Sequence, residues 1–143
     1  MHVAAILSVK GRAVETVRPD TKLMDVARKL ASKRIGAVVV TDRKGDVTGI
    51  VSERDIIRAL ATEGVDSLEW PVAEVMTRDV LTCRDADTID QLMSLMTARR
   101  FRHLPVVNEG ALNGIVSIGD VVKHHIAEVE MEASAMRDYI ATG

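Results

Sequence analysis

Two serine–aspartate pairs carry groups able to do chemistry. Ser52 and Asp55 lie three residues apart, and so do Ser117 and Asp120. A serine followed three residues later by an acid is the capping box that opens a helix. The same carboxylate is a pure acceptor and can take both hydroxyls of a ribose. A strand that ends in such a box also presents free N–H groups to a phosphate. Capping and ligand binding can coexist in one carboxylate. Cations suited to a phosphate stand elsewhere, at Arg102 and His103. An arginine offers phosphate oxygens a planar fork of donors. Arg99 and Arg100 read as a helix end, where the dipole favours cations. Lys10 and Arg12 can add charge to a phosphate, but solvated loop is their expected fate.

Other reactive side chains form no recognisable machinery. Cys83 is the sole cysteine, without a CxxC partner or a triad, and reads as an inert small apolar side chain. A single cysteine permits no internal disulfide and suits a reducing cytoplasm. His124 and His125 are adjacent, whereas helical metal pairs favour i, i+4; no metal site is expected. No GxxxxGK[ST] loop and no nucleophile beside a base are present, so no catalytic residue is assigned. Net charge is −2 and only Trp70, Tyr139 and Phe101 are aromatic. That leaves neither an electrostatic footprint for nucleic acid nor a platform for stacked bases. No run approaches ~18 apolar residues, so no membrane span is expected.

The elements that position these groups are repeated. Gly49-Ile50-Val51-Ser52-Glu53-Arg54-Asp55 returns as Gly114-Ile115-Val116-Ser117-Ile118-Gly119-Asp120. Upstream, Leu23, Val26, Ala27 and Leu30 sit at helical spacing, as do Ile89, Leu92, Met93 and Met96. Ile35 to Val40 corresponds to Phe101 to Val106. Turn residues follow both runs, Asp42 to Asp46 and Asn108 to Gly110. Each repeat therefore reads as strand, helix, strand, turn, strand, helix, with first strands near Val14 to Val17 and Val80 to Cys83. Val3 to Leu7 and Val72 to Met76 look like short helices leading into the repeats. The predicted class is α/β (α+β): two tandem repeats with pseudo-twofold symmetry, their small sheets packed together and flanked by helices. One repeat alone would bury only ~60% of its unfolded surface, so one core shared by both is expected. The repeats are placed at 8–61 and 72–127, joined by a linker at 62–71.

The end of the chain is predicted to be a long helix, with an extension at 128–143. Val122, Ile126, Val129, Ala133, Met136 and Ile140 advance by threes and fours. This stripe fits either a helix folded back on its own domain or a dimer contact. Glu128, Glu130 and Glu132 read as a solvated face, and the seven methionines as core filler.

The doubled GIVS-x-x-D, the Arg102-His103-Leu104-Pro105-Val106-Val107 run and the Pro19-Asp20-Thr21 lead into a helix resemble the CBS motif, named for cystathionine β-synthase. The likeness covers nearly the whole chain, and Val75-Met76-Thr77 fits the stand-alone CBS pairs of bacteria. It implies a Bateman module that binds AMP, ADP, ATP or NAD, with S-adenosylmethionine less expected, between its repeats. It also implies a homodimer, a regulated partner of unknown identity and no catalysis of its own.

The same likeness implies how two clefts are assembled. One combines Asp120 and Ser117 with Val14, Thr16, Ile35, Gly36 and Ala37, with Arg102 and His103 at its phosphate end. The other combines Asp55, Ser52 and Arg54 with Val80, Thr82, His103 and Leu104. The repeats differ at one place that matters: Gly36 and Ala37 stand where the second has Arg102 and His103. The clefts are therefore unlike, and the Asp120 side is favoured, since Gly36 and Ala37 leave room for an adenine. The leading function is a nucleotide-sensing regulatory protein. The alternatives are an enzyme acting on a nucleotide and a structural dimer adaptor with vestigial clefts.

Overall fold

In a computed structural model, residues 1–142 are described. The first repeat runs β1 (Thr16–Val17), α2 (Leu23–Lys33), β2 (Ala37–Thr41), β3 (Val47–Ser52) and α3 (Glu53–Glu63), after α1 (Val3–Lys10). The second runs α4 (Ile89–Arg99), β4 (His103–Asn108), β5 (Ala111–Ser117) and α5 (Ile118–Thr142). Two 3-10 turns, Val65–Glu69 and Val72–Glu74, connect them.

The sheets are near copies. β2 and β3 are antiparallel with Ala37 opposite Ser52, and β4 and β5 with His103 opposite Ser117. Both ladders shift register at equivalent points, Val40/Thr41 and Val106/Val107. They differ in the first strand. β1 pairs in parallel with β2 through Thr16 and Val17. The strand expected at Val80 to Cys83 shrinks to one bridge, Cys83 to Val106. In the first repeat the Val39 N–H donates to the Glu15 carbonyl at 3.2 Å. Its counterpart is Pro105, which has no N–H to give. The Pro105 carbonyl still accepts from the Cys83 N–H at 3.0 Å and the Cys83 carbonyl from the Val107 N–H at 2.8 Å, and these two bonds are the whole bridge.

The expectation of one shared core is corrected. Buried side chains form two clusters, and each contains the other repeat's lead-in segment. Val3, Ile6 and Leu7 of α1 pack with Leu92, Met96, Leu104, Val106 and Val116 of the second repeat. Val72 and Met76 pack with Leu23, Val26, Leu30, Val38 and Val51 of the first. The lead-in at Val72 is a 3-10 turn and not the short helix expected, while that at Val3 is a helix reaching Lys10.

Backbone hydrogen bonds secure the exchange from both sides. Leu23 N–H donates to the Trp70 carbonyl and Val72 N–H to that of Thr21, at 2.9 and 2.7 Å. Ile89 N–H donates to the Met1 carbonyl and Val3 N–H to that of Asp87, at 3.0 and 2.9 Å. The repeated glycine of GIVS follows from this. A Cβ at Gly114 would lie 2.9 Å from Leu7 Cδ2, and one at Gly49 would press on Met76 and the Thr77 carbonyl oxygen.

α5 is helical through Thr142, the end of the described residues; Gly143 of the expected extension lies outside them. Its first turns pack on α4 and α1. Beyond them it does not fold back: Met136 and Ile140 are 60% and 69% exposed. Met76 and Met96 are core residues, but Met131 and Met136 are not. No helix among the described residues is long and apolar enough to cross a membrane.

Replacing either slot glycine tests the exchange. Gly114→Ala and Gly49→Ala are each expected to lower unfolding stability by about 1–3 kcal/mol through overpacking, read by urea denaturation. Gly110→Ala, where no atom lies within 4 Å, is the control for backbone strain alone, since Gly110 has φ 80°.

Candidate functional site

Both serine–aspartate pairs are capping boxes at the start of α3 and α5. Asp55 Oδ2 accepts from the Ser52 N–H at 2.8 Å and its hydroxyl at 3.1 Å, and Ser52 Oγ accepts from the Asp55 N–H at 3.4 Å. Asp120 Oδ2 accepts from the Ser117 N–H at 2.9 Å, and Ser117 Oγ from the Asp120 N–H at 3.1 Å. The strands before these helices are tied to them alike: Glu53 N–H donates to the Gly36 carbonyl and Ile118 N–H to that of Arg102. Strand register and cap thus place Gly36 beside Ser52 and Asp55, and Arg102 and His103 beside Ser117 and Asp120.

The two strand starts meet across the pseudo-twofold axis. A Cβ on Gly36 would lie 3.2 Å from His103 Nε2. The glycine is therefore the space into which the histidine fits. On the Asp55 side of this contact lies a cavity of about 320 Å³. Ser52, Asp55, Arg54, Gly36, Arg102 and His103 all line it. So do Glu53, Arg58, Arg100, Phe101, Ile50 and Thr77, none of which the sequence assigned to a cleft. Four arginines face two carboxylates there, leaving the rim cationic. Arg58 Nη1 lies 3.7 Å from Asp55 Oδ1, one helical turn away. Thr77 is held by a reciprocal backbone pair with Ile50. Arg100 caps α4 in the left-handed conformation with φ 59°, as Arg34 caps α2 with φ 56°.

On the Asp120 side, favoured by the sequence, a side chain engages the carboxylate. Lys10 Nζ lies 2.6 Å from Asp120 Oδ2 and donates to the Ile115 carbonyl at 2.9 Å. Lys10 is thus the last residue of α1 and an ion-pair partner, not solvated loop. Burial pushes the Asp120 carboxyl up, but Lys10 and Ser117 outweigh it and hold it below the usual range. Arg12 is likewise no free loop cation: its guanidinium forks onto Asp85 at 2.7 and 3.2 Å.

The remaining cleft candidates lie outside the lining of the Asp55 cavity. Leu104 is fully buried in the second core. Thr82 is exposed and Val80 half-buried, both outside the cavity lining. Val14, Thr16 and Ile35 are half-buried and Ala37 is buried; the Thr16 carbonyl accepts from Lys29 Nζ.

Two side chains outside the clefts complete the account. Burial, with Asp87 and Asp85 adding to it, pushes the Cys83 thiol up to about 12, so it stays an unreactive thiol. His125 does find carboxylates: one ligand atom each from His125, Asp90 and Glu128 lie within 4.8 Å of one another. Asp90 there is exposed, and the group stands on the helix surface away from both clefts.

His103 makes the junction pH-sensitive. Burial and nearby Lys10 lower its pKa, and Asp120 and Glu53 only partly oppose them. The unfolded chain then takes up this proton near pH 6.5, while the native state takes it up only at lower pH. Stability is full above that value and is lost as pH falls through the folded value. Urea midpoints from pH 7.5 to 5 should fall less steeply in His103→Gln than in the parent chain. An unchanged slope would remove His103 from the account.

Comparisons with known proteins agree with the fold. The family model for the CBS domain matches residues 8–62 and 72–126. The crystal structure of the CBS-domain protein ATU1752 from Agrobacterium tumefaciens superposes with a TM-score of 0.85 at 49% identity, covering 87% of this chain and 99% of that one. The CBS domain protein PAE2072 from Pyrobaculum aerophilum, complexed with AMP, is 30% identical with a TM-score of 0.75, over 84% and 89% of the two chains. The CBS domain pair of protein MJ0100, in complex with 5′-methylthioadenosine and S-adenosyl-L-methionine, is 25% identical with a TM-score of 0.79, over 90% and 98%. The chain spans 66% of the length of one curated relative and 72% of two more. With both halves matched to one model and each repeat built on the same strand-to-capping-box unit, the chain belongs to the CBS domain family, as a pair of CBS repeats.

Proposed function

We propose that the chain is a regulatory module that senses an adenine nucleotide in the Asp55 cavity. The observation that carries this reading is a cleft between the repeats lined by the Asp55 carboxylate and by a cluster of arginines. Asp55 and Ser52 take the ribose hydroxyls, Arg54, Arg58, Arg100 and Arg102 take the phosphates, and Ile50, Gly36 and Phe101 flank the base. A volume of about 320 Å³ lies at the small end of ligand sites and suits a mononucleotide such as AMP or ADP better than NAD. The excess of arginine favours a phosphorylated ligand over S-adenosylmethionine, whose sulfonium is itself cationic. The AMP complex of PAE2072 supports the same class.

The second cleft in this reading is formed by Asp120, Ser117, Val14, Thr16, Ile35 and Ala37. A ribose there competes with Lys10 for the carboxylate, so this cleft fills second. Binding alters how the repeats meet at Gly36 and His103, and that change reaches a dimer or partner surface. The setting is cytoplasmic, and the module performs no chemistry on its ligand.

Calorimetry with AMP, ADP, ATP, NAD and S-adenosylmethionine tests the reading. Adenine nucleotides are expected to bind, and Asp55→Asn to weaken them about tenfold or more, as losing one charge-assisted hydrogen bond does. Arg100→Gly relaxes a left-handed residue, so it should weaken AMP while leaving adenosine binding and the thermal midpoint nearly unchanged. A phosphate beside His103 raises its pKa, so binding near pH 6 takes up a proton and its enthalpy varies with the buffer; in His103→Gln that variation disappears. No heat from any ligand, or binding indifferent to Asp55 and Arg100, overturns the proposal.

A further inference from the structure

The exposed half of α5 carries a feature that the clefts do not use. Ile126, Val129, Ala133, Met136 and Ile140 recur at alternating steps of three and four. That is the a/d seam of a heptad, with Ile126, Ala133 and Ile140 at a and Val129 and Met136 at d. A seam folded against its own domain would be buried. Here Ile126 is 52% and Val129 48% exposed, and exposure rises toward Ile140. A single helix of this length, ~25 Å from Ile126 to Thr142, gains no burial for its apolar stripe alone.

The flanking charges indicate what covers the stripe. Glu132 falls at a g position and Arg137 at the following e position. In a parallel two-stranded coil, g of one helix meets the next e of its partner. Glu132 therefore meets Arg137 of a second copy, and the twofold axis makes the pair twice. Within its own helix Glu132 has no oppositely charged residue three or four positions away, only the like-charged Glu128, and Arg137 has no charged residue at those spacings. Arg137 is also the only Lys or Arg after Lys123. Ala133, at the middle a position, lets the helices approach closely.

We propose that α5 beyond Ile126 is a parallel coiled-coil seam that joins two copies of this chain. His125, also at a g position, lies against Asp90 of α4, so the seam opens one residue later. The proposal stands apart from the nucleotide reading, since no residue of the seam lines the cavity.

Sedimentation of the full chain across low-micromolar concentrations is the test. The parent chain is expected to be dimeric. Val129→Glu with Met136→Glu, both at exposed positions, should weaken the dimer about tenfold or more without moving the thermal unfolding of the monomer. Glu132→Arg alone should weaken it, and Arg137→Glu in the same chain should restore it. Val129→Cys should cross-link under mild oxidation only in a parallel pair, because d meets d; buried Cys83 does not compete. A monomeric parent chain overturns the proposal. So does a dimer indifferent to the seam substitutions, or one that the charge swap does not rescue. A dimer that fails to cross-link at Val129 overturns the parallel arrangement.

Discussion

The reciprocal exchange of lead-in segments is the constraint on which the rest of the molecule depends. Neither repeat completes its own core. The second needs Val3, Ile6 and Leu7, and the first needs Val72 and Met76. Full burial of such side chains contributes roughly 1.5–3 kcal/mol each, a large share of the stability of a chain this small. The exchange also sets where glycine must stand, because Leu7 and Met76 press into the strands at Gly114 and Gly49. Those strands end at the capping boxes. The positions of Ser52, Asp55, Ser117 and Asp120 are thus fixed by packing before any ligand is considered.

On this nearly symmetric frame a few residues break the symmetry. Gly36 and His103 occupy adjoining places at the axis, and the histidine fills the space that the glycine vacates. Arg100 and Arg102 charge one cleft, and Lys10 neutralises the other by pairing with Asp120. Pro105 shortens one ladder. The outcome is one open cationic cavity and one carboxylate already engaged. The difference between the two sites lies in ion pairing and not in the fold.

Much of this was legible in the chain because it is local. The doubled GIVS-x-x-D gave both boxes, and the three-and-four spacing of Leu23, Val26 and Leu30 and of Ile89, Leu92 and Met96 gave two buried helix faces. What escaped depends on contacts between residues far apart. Lys10 and Asp120 are separated by 110 positions, and no spacing rule links them. The crossing of the lead-in segments escaped for the same reason: Val3 and Val72 look alike in sequence, and only the fold says whose core each enters. Nothing local marks Arg100 and Phe101 as cavity residues, because a basic helix end is ordinarily solvated and Phe101 reads as the start of a strand run. The match of Arg34 with Arg100 was visible in the repeat, but not the cavity into which only the second opens.

The crossed segments also say something about how such a chain can arise. A shorter chain with one lead-in segment and one repeat has a slot that its own segment does not fill in this arrangement. A second copy supplies the missing piece, and each gives what it receives. That is a domain-swapped dimer. Joining the two copies head to tail through the Val65–Glu69 turn makes the swap intramolecular, with the effective concentration that a tether provides. The covalent link then frees each half to diverge, and a histidine on one side can be matched by a glycine on the other, which no identical pair of subunits can encode.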